Sequence, residues 1–207
     1  MRTTRLEAFS DGVLAIIITI MVLELRVPAG HNLADLVHTT GAGLLTYALS
    51  FVYVGIYWTN HHHMFHLVRR VSGGVLWANL TLLFCLSLVP FTTAWVDESR
   101  FARAPVVIYG LNLLAAATAY LVLQRVIIRQ EGPDCALREA LGADLKGKIS
   151  AVVNVAGILC ALAVGGTIGV GIAVACYVGV VIMWIVPDRR IARRVREHGA
   201  ESTAPAP

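Results

Sequence analysis

The chain has 207 residues, 57% of them hydrophobic and 14% charged, with a mean hydropathy of +0.71. Water-soluble domains carry charge on about a quarter of their residues, so a soluble fold is excluded; at about 20 apolar residues per spanning helix, the length leaves room for about six spans and little else. A formal charge of +4 and a pI near 9.1 would raise the question of nucleic acid in a soluble protein, but in a membrane chain the placement of the charges carries the information.

Apolar runs bounded by charge, Pro or Gly predict six spanning segments, in chain order 8–27, 41–58, 71–96, 105–128, 149–164 and 168–186. An open sheet would leave backbone groups unpaired in lipid, and the runs are too continuous for the alternation of a barrel strand, so all six read as helices. The expected fold class is all-α: a polytopic membrane protein with six transmembrane helices over 1–187 and a basic tail over 188–207. Within that tail, 188–198 reads as a solvated or headgroup-associated helix end, and the Ser/Thr/Ala/Pro stretch after it as disordered. With six spans both termini share a side. Every Lys and Arg except Arg26, Arg100 and Arg103 falls on that side, which predicts cytoplasmic termini. The four cysteines are unevenly spaced and mostly sit inside apolar runs, so they read as apolar filler and not as a disulfide or metal framework. Arg2 and Arg5 ahead of a short apolar core also fit a signal peptide; Asp11 at the entrance of that core, Glu24 at its end and the lack of a small-x-small cleavage site weigh against it.

No catalytic constellation accompanies the spans. There is no GxSxG, HExxH, Walker A or GxGxxG motif, and an enzyme is not expected. The informative residues are polar groups in or beside membrane helices, which are costly in lipid and so invite a functional reading. At about 100° per residue, Arg5, Phe9, Gly12, Ile16, Thr19, Ile20, Leu23 and Val27 share one face of the first helix. Asp11 points about 140° away, toward Ala15, Ile18, Val22 and Leu25, and so toward the protein interior. An aliphatic stripe of this kind packs against another helix more often than it lines a pore, and the spacing alone does not choose. Thr19 likewise has two uses open to its hydroxyl: a bond to its own backbone one turn back, or a place in a ring around a partly dehydrated cation.

Counting in from the ends of the second and third spans places Trp58, His61, His62 and Asn79 at about the depth of Asp11. This predicts a hydrogen-bonded cluster of Arg5, Ser10, Asp11, Trp58, His61 and Asn79 that holds the first helix against its neighbours. The competing reading makes Asp11 a headgroup-level carboxylate favoured by the helix dipole.

Arg5-Leu6-Glu7-Ala8-Phe9-Ser10-Asp11 forms an RxxxFSD pattern at the start of the first span, and Trp58-Thr59-Asn60-His61-His62 closes the second. Leu76-Trp77-Ala78-Asn79-Leu80 and Leu88-Val89-Pro90-Phe91-Thr92 lie in the third. Through these stretches, in the first half of the chain, the sequence resembles the transmembrane protein 175 potassium channels in their prokaryotic form, with one six-helix repeat per chain. The second half resembles them in hydropathy and in Tyr109-Gly110-Leu111-Asn112. The resemblance implies a homotetramer in the cell membrane whose first helices surround a central pore, favouring potassium over sodium without a carbonyl-lined filter. By offset from Asp11 it puts the narrowest ring at Ile16, with Thr19, Ile20 and Leu23 above it. It also gives the FSD residues, Phe9 included, a place in the structural or gating network. Potassium is the permeant ion so implied, and the partners are further copies of the chain and the lipid bilayer; no cofactor, bound metal or nucleic acid is expected.

Two further motifs invite readings that their surroundings do not support. His62 and His66 sit at i and i+4 on one helix face, as metal ligands do, but no carboxylate or cysteine is near in sequence; an exposed or networked helix end is expected, and its titration would make gating sensitive to pH. Thr167-Ile168-Gly169-Val170-Gly171 looks like a degraded TVGYG filter, yet the preceding span ends too close to leave a pore helix, so the glycines are expected to form a tight turn. The leading function is therefore a passive potassium-selective channel. The rival is a proton-coupled or ion-coupled secondary transporter built on Asp11 and Glu24, although both acids lie near the ends of the first span and no inverted repeat is evident.

Overall fold

The computed structural model describes residues 3–68, 70–132, 134–141 and 144–185. The basic tail over 188–207 lies outside the described residues. In chain order the helices are α1 (Thr3–Leu23), α2 (Leu33–His66), α3 (Gly73–Ser87), α4 (Val89–Glu98), α5 (Arg103–Glu131), α6 (Ala136–Leu141), α7 (Leu145–Ala163) and α8 (Gly166–Ile185). Six stretches are long and apolar enough to cross a membrane, α3 and α4 counting together as Gly73–Glu98. The fold is all-α.

Three of the spans differ from expectation for identifiable reasons. α1 stops at Leu23, short of the expected 27; the Leu25 N–H turns back to the Val22 carbonyl at 3.2 Å, and Pro28 disfavours helical backbone at Val27. In the loop that follows, Arg26 Nη2 reaches Glu98 Oε1 at the end of α4, at 3.5 Å. α2 begins at Leu33, ahead of the apolar run, because Asn32 and Asp35 form a capping box: the Asp35 N–H donates to Asn32 Oδ1 at 2.9 Å and the Asn32 N–H to Asp35 Oδ2 at 3.4 Å. It then continues through the histidine run to His66. Its 34 residues, about 51 Å at the usual rise, outrun a hydrocarbon core of about 30 Å. The third span is broken at Leu88, because Pro90 lacks an N–H and its ring collides with the carbonyl one turn back. Beyond the break the helical ladder resumes at Thr92, which donates to the Leu88 carbonyl from its N–H at 3.0 Å and its hydroxyl at 3.1 Å.

Val164 and Gly165 join α7 to α8, and Gly166 takes the left-handed conformation (φ 69°) that a side chain would resist. A Cβ at Gly169 would strike the carbonyl oxygens of Val164 and Cys160, so glycine there lets α8 lie against α7. Thr167 to Gly171 form the first turns of α8, and no re-entrant segment separates the two helices.

One apolar cluster joins α1, α3, α5 and the end of α2 around Leu14, Leu82, Leu86 and Leu123; a second joins α2, α5, α7 and α8 around Leu113, Ile158 and Tyr177. Lipid is as apolar as leucine, so burial alone drives spans together weakly, and close packing and hydrogen bonds do more. Ser50 Oγ lies 2.8 Å from Thr93 Oγ1 and 3.1 Å from Tyr109 Oη, which ties α2, α4 and α5 at one buried point.

Candidate functional site

α1 buries Leu6, Ser10, Leu14, Ile17 and Met21, which lie along a single stripe. On the other side Arg5, Phe9, Gly12, Ile16, Thr19, Ile20 and Leu23 are all exposed. Ile16 is 58% exposed and Leu23 79%, values foreign to aliphatic side chains that pack inside one subunit. The chain thus leaves bare the face that helical spacing picks out, and it also exposes Ala8 and, against expectation, Ala15 and Val22, which spacing places with Asp11 on the interior side; the buried stripe is centred on Ser10 and Leu14 instead. The Thr19 hydroxyl donates to its own helix, at 2.9 Å from the Ala15 carbonyl and 3.0 Å from that of Ile16. Its oxygen keeps acceptor capacity on the bare side.

Behind that face, two sets of hydrogen bonds fix α1. Asp11, half-buried, accepts from Trp58 Nε1 at 3.0 Å. Beside it, His61 Nε2 lies 2.7 Å from Asn79 Oδ1, and Asn79 Nδ2 donates to Ser10 Oγ at 2.9 Å. An amide oxygen only accepts, so His61 carries its proton on Nε2. Ser10 and Asn79 are fully buried and His61 is 1% exposed. Local sequence explains the convergence: Ser10 falls between Leu6 and Leu14 on the buried stripe of α1, His61 precedes buried Phe65 by one turn, and Asn79 follows buried Val75 by one. Of the expected cluster, Arg5 stands apart. It is exposed, and it makes no hydrogen bond or ion pair among the described residues. Phe9 lies on the bare face, 51% exposed.

His62 stacks on Trp58, with ring centroids 6.3 Å apart, and its Nε2 lies 3.0 Å from that of His66; both rings are exposed. Among the described residues no group of three or more His, Cys, Asp or Glu side chains is placed to hold a metal ion.

Sequence reasoning gave no structural role to Ser50, Thr93, Tyr109, Asn154 or Asp144; Tyr109 entered only through the family resemblance of its stretch. The signal in the first four was a polar residue inside an apolar run, diluted by many threonines and tyrosines that bond only locally. Asp144 caps α7: its backbone is left-handed (φ 42°), and its Oδ1 accepts from the Gly147 N–H at 3.3 Å. Burial pushes the Asp144 carboxyl up, against the opposing pull of that bond and of Lys148 and Arg125. An upward shift means that folding disfavours the ionised form. The penalty is absent below the ordinary carboxylate range, grows as pH rises from the ordinary value to the raised one, and is constant above that. Asp144→Asn keeps the cap and removes the charge, so its Tm should exceed that of the parent near pH 7 and match it near about pH 3. Thermal melts showing a gap independent of pH would contradict this.

A family profile described as "Endosomal/lysosomal potassium channel TMEM175" matches residues 5–90. The chain is 49% identical over 194 residues to a potassium channel of Chryseobacterium sp. (strain P1-3), covering 94% of this chain and 98% of that protein. It is 38% identical over 126 residues to a potassium channel of Streptomyces collinus, covering 58% of this chain and 61% of that one. Among solved structures, the crystal structure of a lysosomal potassium-selective channel TMEM175 homolog from Chamaesiphon minutus matches with a TM-score of 0.68 and 29% identity, over 88% of this chain and 97% of that chain.

Proposed function

Because the chain belongs to the transmembrane protein 175 family of ion channels, and is not an enzyme, we propose that it forms a passive potassium-selective channel with α1 lining the pore. Four copies surround the pore in the plasma membrane, with their termini in the cytoplasm. Ile16 forms the constriction, and Thr19, Ile20 and Leu23 line the path beyond it. Ser10, Asp11, Trp58, His61 and Asn79 hold α1 at a fixed distance from the axis, while Arg5 and Phe9 stand at the inner mouth. The observation that carries this reading is the bare face of α1, which leaves Ile16 and its neighbours largely exposed within the subunit. An aliphatic ring at the axis gates by width and wetting: a narrow apolar ring sheds water and blocks ions, and a small outward movement of the helices readmits both.

Flux from liposomes tests the reading. Purified protein in potassium-loaded liposomes should give downhill potassium efflux that needs no opposing proton gradient. Asp11→Asn should lower the yield of assembled protein while leaving flux per assembly of the same order. A carrier would show the reverse, with Asp11→Asn abolishing flux in intact assemblies and Ile16 tolerant of change; that pattern would sink the channel reading.

A further inference from the structure

Between α2, α5, α7 and α8, away from the bare face of α1, runs an open cleft of about 650 Å³, counted out to its mouth. It leads into a wider vestibule whose wall includes part of α6, and Asn60, Tyr120, Gln124, Asp144 and Trp184 belong to both. We propose that this cleft holds one acyl chain of a phospholipid whose headgroup sits in the vestibule. The phosphate lies beside Lys146 and a primary ammonium beside Asp144, the pair of charges that phosphatidylethanolamine carries. The proposal does not rest on α1 lining a pore.

The lining calls for hydrocarbon. Ile56, Ala117, Leu121 and Val180 contribute aliphatic surface, and Tyr57 and Tyr120 meet edge to face with ring centroids 5.7 Å apart. Polar side chains of the same wall turn their hydrogen bonds away from the cleft or onto one another. Tyr53 Oη donates to the Leu113 carbonyl at 3.3 Å and Asn60 Nδ2 to the Ile56 carbonyl at 2.8 Å. Ser150 Oγ donates to the Lys146 carbonyl at 2.8 Å and accepts from Trp184 Nε1 at 2.7 Å. A mainly apolar wall holds water poorly, because a bound water needs about two to four polar partners, whereas each methylene laid against it adds dispersion contacts. The volume falls within the range of about 300–1,000 Å³ usual for small-molecule sites. Length agrees as well. Asn154, at the inner end, lies ten residues beyond the α7 cap at Asp144, about 15 Å along the helix. That is half of a hydrocarbon core of about 30 Å, the depth of the single leaflet that one phospholipid chain crosses.

The mouth fits a headgroup that carries both charges. Trp184 stands one residue before the end of α8, its indole shared by cleft and vestibule, and Trp is the residue enriched at the headgroup boundary. Lys146 and Asp144 both line the vestibule, with the Lys146 ammonium 5.9 Å from the centre of the Trp184 ring. A phosphate resting at that boundary meets the ammonium directly. Burial pushes the half-buried Asp144 carboxyl up even though Lys148 and Arg125 act on it, so a further ammonium reaching it from the vestibule offsets a cost that those two leave. A purely anionic headgroup would set a second negative charge beside Asp144. A quaternary amine would bring the positive charge but no N–H to donate.

Photolabelling of the intact protein in liposomes tests this, with phosphatidylethanolamine carrying a diazirine in mid acyl chain and the attachment points read by mass spectrometry. Attachment at Ile56, Leu121 and Val180 in the cleft should resist dilution by phosphatidylcholine or phosphatidylglycerol of the same chains, and unlabelled phosphatidylethanolamine should displace it several-fold better than either. Attachment at Val152 and Ile182, exposed on the outer sides of α7 and α8, should fall equally with all three lipids. Lys146→Gln should reduce cleft attachment several-fold and leave the outer residues unchanged, and Asp144→Asn, which keeps the helix cap, should abolish the preference over phosphatidylcholine. Cleft residues that label no differently from Val152 and Ile182 would overturn the site. Equal displacement by the three lipids, or stronger displacement by phosphatidylglycerol, would overturn the headgroup assignment. The labelling is read without ion flux, so failure of the wild type to pass potassium would count against the channel reading alone.

Discussion

Replacing Ile16 by asparagine is expected to raise potassium current by tenfold or more and to erode the preference for potassium over sodium. If four copies place this residue at the axis, the substitution exchanges an aliphatic ring for four amides. Each amide can replace part of the hydration that an ion sheds at the constriction, at about 1–3 kcal/mol for a buried polar contact, and about 1.4 kcal/mol corresponds to a factor of ten. The fold should tolerate the change, because Ile16 is 58% exposed within its own subunit and exposed substitutions cost about 0.5 kcal/mol or less. Single-channel recording beside a thermal melt checks both halves. An altered current from a protein that also melts far below the parent would point to misfolding instead of a changed pore.

Asn79→Ala is expected to have the largest effect on stability. Asn79 is fully buried and bonds His61 on α2 and Ser10 on α1, so its removal strands two further buried polar groups. At about 1–3 kcal/mol for each group left unsatisfied, the loss is about 2–6 kcal/mol, against a usual total of about 5–15 kcal/mol. Ser10→Ala should cost less, since it leaves the His61 bond in place. Melting temperature and the fraction of assembled protein after detergent extraction measure the difference. If Asn79→Ala proved as mild as Ser10→Ala, the three residues would not act as a connected anchor.

Much of this was legible in the sequence because membrane helices announce themselves by apolar length and because polar residues inside them are rare. Helical spacing delimited the face of α1 without deciding whether it packs or stays bare, and Trp58, His61 and Asn79 were found by depth, since partners in lipid must lie at the level of the group they satisfy. Arg5 was counted in the cluster although helical spacing already put it on the face opposite Ser10, and it stands there, exposed beside Phe9. The start of α2 was missed because apolar length was the criterion, and the turns that Asn32 and Asp35 cap are polar. The break at Leu88 and the short helix α6 were missed for a related reason: a hydropathy run is blind to a kink within it, and six residues carry no spanning signal.

The most direct test of the central claim is the reversal potential of the purified protein in a planar bilayer, with potassium and sodium opposed across it and Ile16→Asn recorded in parallel. A reversal near the potassium equilibrium potential, displaced toward zero by Ile16→Asn, is the predicted result. A reversal that Ile16→Asn leaves in place would remove this residue from the ion path, and absence of current together with proton-coupled uptake in the same preparation would contradict the channel itself.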